Sequence, residues 1–276
     1  MRTLRTFHTS GRGALIQHLE PRLCMANLEV VPTDYGMTLF IYGTARKDDM
    51  RIVQKTTYND DIQHVRYDIT HKGHEQTFDF TAASTDPHDR LTRTVVDVRS
   101  EDDRVHAYNR DGLGVGAPTL TIKGGAGDDR IRCRDQFMYA EGGTGNDNLT
   151  GRTGTDPASK GHTYAFAFRD DSGNNKFDGS EYADLFQGGQ GDDHMVGNDG
   201  DDFIQFGQGT DLIEGDAGND TAYLRPSGPI LPSTIRGGEG EDTLMVLVSS
   251  EDTPLDDMFS TLTIDAVEHQ ERDVRV

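Results

Sequence analysis

From residue 188 the chain runs in nines: GGQGDDHMV, GNDGDDFIQ, FGQGTDLIE and GDAGNDTAY. Each nine places one apolar residue two positions after an aspartate: Met195 after Asp193, Ile204 after Asp202, Ile213 after Asp211 and Ala222 after Asp220. Polar residues flank that apolar position, which predicts a very short strand with one side chain turned inward. The glycine- and aspartate-rich remainder predicts a turn. Upstream the period becomes two. NLEVV, MTLFIYG, MRIVQKTTY, QHVRYDI, QTFDF and RTVVDV, all within residues 27–110, alternate apolar and polar residues or are β-branched, and loops such as 59–61 and 83–89 separate them. Two stretches there also fit the later period. GTARKDDMR (43–51) keeps Gly43, Asp48 at the sixth place and Met50 at the eighth, and VRSEDDRVH (98–106) keeps Asp103 and Val105. Residues 27–110 therefore read either as worn copies of the same coil or as a small independent β-sandwich.

The repeating unit is GGxGxDxUx, with U a large apolar residue, a nonapeptide of calcium-binding parallel β-helices. GGxGxD occurs without flaw as GGAGDD (124–129), GGTGND (142–147), GGQGDD (188–193) and GGEGED (237–242). Imperfect copies such as GRTGTDPAS (151–159) and GSEYADLFQ (179–187) keep the length. Over residues 124–159 and 179–245 these motifs resemble the RTX, or hemolysin-type, calcium-binding repeat. The resemblance implies an all-β fold, a right-handed parallel β-roll (a β-solenoid), preceded by the β-rich segment. Two nonapeptides would make one coil, and coils would stack at about 4.8 Å, so that each repeat lies over the next but one.

Such stacking lines up Asp184, Asp202 and Asp220 on one edge, Asp193 and Asp211 on the other, and sets Asp129 beside Asp147. Like charges facing each other across a sheet repel. A hard divalent cation reverses the sign, and an all-oxygen donor set selects Ca²⁺ over zinc or copper. Several calcium ions are the expected cofactors. The resemblance implies six-fold coordination by the sixth-place aspartates, Asp129, Asp147, Asp184, Asp193, Asp202, Asp211, Asp220 and Asp242. Glycine-segment carbonyls would complete it, those of Gly125, Gly127, Gly143, Gly145, Gly189, Gly191, Gly200, Gly207, Gly209 and Gly218. Fifth-place acids such as Asp128, Asp192, Asp201 and Glu241 would add negative field rather than ligands.

The array departs from its pattern in places. CRDQFMYAE (133–141) has Met138 at the sixth place and would stack under GRTGTDPAS with its Arg152 and Pro157, an edge where a metal site is not expected, although Asp156 is a further candidate ligand. Phe206 replaces a first-place glycine, which is compatible with carbonyl ligation. LRPSGPILP (224–232) breaks the run and puts GGEGEDTLM (237–245) out of register, leaving Asp242 in an isolated site. DDSGNNKFDGSE (170–181) aligns with an EF-hand loop through Asp170, Ser172, Asn174, Asp178 and Glu181, with Phe177 at the apolar eighth place; the other reading is a polar loop. TLTIDAV near the end predicts capping strands over the last core layer. The expected organisation is an N-terminal segment at 1–26, the β-rich segment at 27–110, the roll at 111–245 with an insertion at 160–178, and a cap at 246–276.

The first 26 residues carry HLEPRLCMA, which resembles the LEPR-XLL motif of bacterial surface and secreted proteins through Leu19, Glu20, Pro21, Arg22 and Leu23, with Cys24 and Met25 in place of leucines. That resemblance implies export; the residues alone read as a disordered basic tail. The net charge of −21 disfavours nucleic acid and anionic membranes as partners and favours cations. Apolar residues make up 33%, so the core is expected to be thin. Cys24 and Cys133 form no framework, and no apolar run has transmembrane length. KGHEQ, with His71 and His74, lacks the second spaced histidine of a zinc-protease helix. The reading is a non-enzymatic, calcium-binding protein, extracellular or at the bacterial cell surface, with a structural or adhesive role and room for polysaccharide contact on a flat sheet face. The alternative is a secreted carbohydrate-active enzyme or lectin with 27–110 as its active part and the roll as an accessory module.

Overall fold

The computed structural model describes residues 6–8, 27–59, 62–82, 86–109, 117–134, 138–153, 164–224, 231–248, 262–267 and 269–274. Among them every regular element is a strand, apart from one 3-10 turn at Pro87–Asp89. The strands form two sheets that share one core. In order across the first sheet lie Thr6–His8, His74–Ala82, Ile62–His71, Asp49–Asn59, Arg104–Asn109, Arg130–Arg134, Asn148–Arg152, Lys176–Asp178, His194–Asp199, Leu212–Ala217, Thr234–Glu239 and Thr263–Asp265. Across the second lie Asn27–Thr33, Gly36–Tyr42, Leu91–Asp97, Thr119–Ala126, Met138–Thr144, Phe166–Arg169, Leu185–Gln187, Phe203–Phe206, Thr221–Leu224, Thr243–Val248 and His269–Val274.

From Gly36–Tyr42 in one sheet and Asp49–Asn59 in the other, each coil adds one parallel strand to each sheet. The strands of residues 36–109 thus continue the same two sheets as the nonapeptides. The starting end is closed by antiparallel pairing: Asn27–Thr33 on Gly36–Tyr42, and a meander of Asp49–Asn59, Ile62–His71 and His74–Ala82. These strands are longer, up to 11 residues, because their sequence alternates without a glycine turn every nine. The last hairpin turns at Lys72 and Gly73 with φ of 49° and 79°, the pair of left-handed residues that a tight hairpin needs.

The eighth-place residues form two columns. Val105, Ile131, Leu149, Phe177, Met195, Ile213 and Ile235 stack in register on one side. Ile122, Ala140, Phe168, Phe186, Ile204, Ala222 and Leu244 stack on the other. All are buried. Phe168 stacks on Phe186 with ring centroids 5.4 Å apart, and Phe177 meets both edge-on at 6.0 and 5.7 Å. Between columns the chain passes through positive φ, for example 117° at Gly143, where the Gly125 carbonyl of the coil beneath occupies the space of a Cβ. Only glycine fits there.

Three expectations change. Residues 164–178, expected within an insertion, contribute strands to both sheets, because DDSGNNKFD is itself a nonapeptide with Asn175 at its sixth place and Phe177 at its eighth. Phe166, not the GRTGTDPAS repeat, therefore stacks on Met138; Asp156 lies outside the described residues, as does the 18–26 motif. Finally, GGEGED is in register. The break after Leu224 lengthens the step between stacked positions from 18 to 22 residues, yet Thr221 still pairs with Thr243 and Ile213 with Ile235.

The aromatic cluster sets a stability test. Replacing Phe168 by alanine should lower the unfolding free energy of the calcium-saturated protein by about 3–5 kcal/mol, read as a drop in the urea midpoint. A loss below about 1 kcal/mol would mean that the coils do not pack tightly there.

Candidate metal centre

The sixth-place residues stand in two rows, one at the entry to each sheet. In the first row the backbone N–H of each donates to the side chain of the next: Asp48 to Asp103 Oδ1 at 2.5 Å, Asp103 to Asp129 at 2.8 Å, Asp129 to Asp147 at 2.7 Å, Asp147 to Asn175 at 2.8 Å, Asn175 to Asp193 at 2.9 Å and Asp193 to Asp211 at 3.0 Å. Asp211 N–H ends the row on Ser233 Oγ at 3.0 Å. The second row starts from the Phe166 N–H on Asp184 Oδ1 at 2.8 Å and runs through Asp202, Asp220 and Asp242 at 2.6, 2.8 and 2.8 Å. Below Phe166 this row holds Met138 and Leu120 in register, so the acids begin only at Asp184.

These bonds use Oδ1 alone. The Oδ2 atoms of Asp103, Asp129, Asp193, Asp202, Asp211 and Asp220 are buried without a hydrogen-bond partner. Burying a charged oxygen in this way is costly unless something compensates it. The Oδ2 atoms of Asp129, Asp193, Asp202 and Asp220 point toward the first-place glycines of their own repeats, and at Asp129, Asp202 and Asp220 a carbonyl oxygen arrives there from the next coil. A Cβ placed on Gly179 would lie 2.5 Å from Asp184 Oδ2 and 2.5 Å from the Gly197 carbonyl. One on Gly124 would lie against Asp129 Oδ2 and 2.6 Å from the Gly142 carbonyl, and one on Gly215 against Asp220 Oδ2 and 2.5 Å from the Gly237 carbonyl. The space beside these glycines is thus lined by carboxylate and carbonyl oxygens, the hard donors that calcium takes. Among the described residues no point gathers three or more acid, histidine or cysteine side chains. One or two carboxylates stand at each aspartate place along the rows, with a backbone carbonyl beside those of Asp129, Asp184, Asp202 and Asp220. This hard, all-oxygen set fits calcium.

Electrostatics say the same. Burial pushes Asp129, Asp193 and Asp220 from the ordinary 3.8 to about 7, with the charges of neighbouring acids adding to it. Asp211 rises to about 6 through burial and Asp192. Asp202 goes to about 9, through burial and then the flanking charges of Asp184 and Asp220. Asp147 and Asp170 turn their Oδ2 atoms on each other, since a Cβ on Gly142 would touch both; burial and their mutual charge raise Asp170. Two carboxylates this close ionise together only with a cation between them.

Two aspartates differ, and each begins the acids of its row. Asp184 Oδ2 accepts from the Ser180 N–H at 2.6 Å and from Ser180 Oγ at 3.1 Å. Asp48 is held by the Thr44 N–H at 2.6 Å, Thr44 Oγ1 at 2.8 Å, His71 Nε2 at 2.8 Å and Lys72 Nζ at 3.0 Å. Burial pushes Asp48 upward, but these bonds outweigh it and its pKa is lowered. The hairpin turn therefore supplies a tethered cation at the first aspartate of the row.

The predicted residues divide as follows. All eight named aspartates lie in the two rows, Asp242 included. The second- and fourth-place carbonyls mostly face the glycine of the coil above: Gly125 against Gly143, Gly127 against Gly145, Gly189 against Gly207, Gly191 against Gly209 and Gly200 against Gly218. The carbonyls that meet the carboxylates are first-place ones, Gly142, Gly197, Gly215 and Gly237. The sequence signal for them was the glycine at the first place of the nine, which all four share. The EF-hand alignment does not gather its residues at one point. Asp170 joins Asp147, whereas Asp178 lies on a strand and pairs with Arg152 at 2.8 Å, Glu181 is exposed, and Ser172 is in a bridge between Thr144 and Gln190. Asn174 belongs to an exposed fifth-place ladder, accepting from the Asp192 N–H at 2.8 Å while its own N–H donates to Asn146 Oδ1 at 2.8 Å. Asp128, Asp192 and Asp201 act likewise. Fifth-place acids and amides thus tie coil to coil, a role that charge alone did not suggest.

A pH dependence follows for the metal-free chain. Raised carboxylate pKa values mean that the folded roll binds more protons than the unfolded chain. Their contribution is fully present below about 3.8 and is lost as pH rises through about 7 for Asp193 and about 9 for Asp202. The far-UV β signal of metal-free protein should therefore be larger at pH 5 than at pH 8. A signal that instead grows with pH would contradict the buried, uncompensated carboxylates.

The family model of the RTX calcium-binding nonapeptide repeat matches the chain in four copies, at residues 121–132, 139–156, 170–204 and 207–224. The third copy includes DDSGNNKFD. Comparison with curated proteins and with solved structures finds no match. With its aspartate rows and converging carbonyls, the segment 121–224 is an array of RTX calcium-binding repeats.

Proposed function

We propose that this is an exported, non-enzymatic protein whose roll orders on binding calcium and then serves as a rigid structural or adhesive element outside the cell. One observation carries the reading: rows of buried carboxylate oxygens that accept no hydrogen bond and face converging carbonyls. Asp129, Asp147, Asp193, Asp202, Asp211, Asp220 and Asp242 would hold the ions, with Asp170 sharing the Asp147 centre and the first-place carbonyls of Gly142, Gly197, Gly215 and Gly237 completing them. Bound calcium supplies the positive charge that offsets the stacked acids. Without it the glycine-rich coils lose more backbone entropy on folding than their thin core returns. Binding and folding are therefore one event. Extracellular calcium modules work at about 10⁻⁴–10⁻³ M, well above the free calcium of a cell interior, so the roll would order after export. The LEPR-like stretch supports the same destination. A non-enzymatic role is supported by the fact that the rows already account for the abundant acids.

Adding CaCl₂ to metal-free protein should give a cooperative gain in the far-UV β signal at sub-millimolar to millimolar concentration. MgCl₂, which demands tight octahedral geometry and sheds water reluctantly, should not reproduce it. The Asp193→Ala/Asp211→Ala variant should need several-fold more calcium or fail to order its coils. A fully formed β signal without metal, unchanged by calcium, would sink the folding-on-binding proposal.

A further inference from the structure

The outer face of the first sheet carries a second set of stacked like charges, of the opposite sign. On its strands Arg104–Asn109, Arg130–Arg134 and Asn148–Arg152 the residues facing solvent are Arg104, His106 and Tyr108, then Arg130, Arg132 and Arg134, then Asn148, Thr150 and Arg152. Five of these nine positions are arginine and none is acidic, in a chain with 48 acids against 27 lysines and arginines. Register sets Arg130 directly beside Arg104, Arg132 beside His106 and Arg134 beside Arg152. Neighbouring strands lie about 4.8 Å apart and alternate residues about 6.6 Å apart, so the guanidinium groups form a flat lattice.

Like charges opposite each other destabilise a sheet, and little on this face relieves them. Arg152 pairs with Asp178 at the plate's edge, and the Arg51 guanidinium lies 4.8 Å from the centre of the Tyr108 ring. Asp49 stands beside Arg104 in register, yet Arg104, Arg130 and Arg132 have no ion pair among the described residues. Partial burial, and then the charges of Arg132, Arg51 and Arg134, lower the His106 pKa. As the aspartate rows call for cations, this plate calls for anions.

We infer that the arginine plate is a docking surface for a linear acidic polysaccharide, whose carboxylates seat among Arg104, Arg130, Arg132 and Arg134. Guanidinium forks bind carboxylates bidentately, and a periodic lattice on a rigid flat sheet suits a periodic, extended anion. Other occupants fit less well. Single-stranded nucleic acid is held by open aromatic platforms, whereas the rings here, His106 and Tyr108, are tilted against each other at 5.9 Å and Tyr108 has a guanidinium over its ring. A membrane surface would be met by exposed apolar anchors, and the large exposed apolar residues, Tyr35 and Leu231, lie elsewhere. A second copy of the chain would bring a net charge of −21, with fifth-place carboxylates already bonded to backbone N–H groups. The inference concerns a face distinct from the calcium rows and does not depend on where the protein resides.

The test uses the full chain saturated with calcium at low ionic strength. Its probe is a fluorescently labelled hyaluronan oligosaccharide, a linear polyuronate that does not gel with calcium. Saturable binding is expected, weakening as salt is raised. Arg130→Gln/Arg132→Gln should lower the affinity about tenfold or more, while Arg236→Gln, remote from the plate and paired with Glu214, should change it little. Circular dichroism in calcium identifies any variant that misfolds; Arg104→Glu then provides an independent disruption of the plate. Absence of saturable binding, or equal binding by the folded plate variants, would overturn the inference. So would tighter binding of single-stranded DNA of equal charge, or self-association that the plate variants abolish.

Discussion

Stacking coils at the spacing of a β-sheet sets like side chains on one another, and each column of this roll has to resolve that. The eighth-place columns bring together Ile131, Leu149, Phe177, Met195 and Ile213, where likeness is an advantage because apolar contacts add. The sixth-place columns bring together carboxylates, where likeness is a cost. One oxygen of each is satisfied by the N–H of the coil beneath, and the other is left inside with no partner. That residue of charge is what the calcium of these RTX repeats is suited to offset.

The columns are graded along the stack. At the starting end Asp48 is neutralised by Lys72 and His71, groups delivered by an antiparallel hairpin, and its surroundings bury the large side chains Tyr67, Phe80, Leu39 and Ile41. At the other entry Leu120, Met138 and Phe166 hold the places that acids take from Asp184 onward. Each row of acids therefore begins on a residue that other protein groups satisfy, Asp48 in one and Asp184 in the other, and the unpartnered carboxylates follow it.

Much of this was legible in the sequence because the period is strict. The stacking of each repeat on the next but one, the alignment of the named aspartates and the inward eighth place all follow from counting nines. What was missed involved departures that glycine counting weighs too heavily. DDSGNNKFD keeps only one glycine and carries Asp170 and Asn175 at key places, so its length of nine was less visible than its likeness to another calcium loop. The break at LRPSGPILP adds residues without changing the register, since strand pairing, not chain length, decides what stacks. First-place carbonyls could not be told from second- and fourth-place ones without the turn geometry. The arginine plate was hidden twice over, because Arg104, Arg130 and Arg152 are far apart in the chain and the total charge points the other way.

The central claim is that cations sit between coils along the two aspartate rows. Anomalous X-ray diffraction from crystals of the calcium-loaded protein tests it most directly. The account predicts peaks in line along both rows, each bounded by a sixth-place Oδ2 and a first-place carbonyl of the adjoining coil, with none at Asp48 beside Lys72. Calcium peaks confined to the surface, or rows without ions and with carboxylates sharing protons instead, would contradict it.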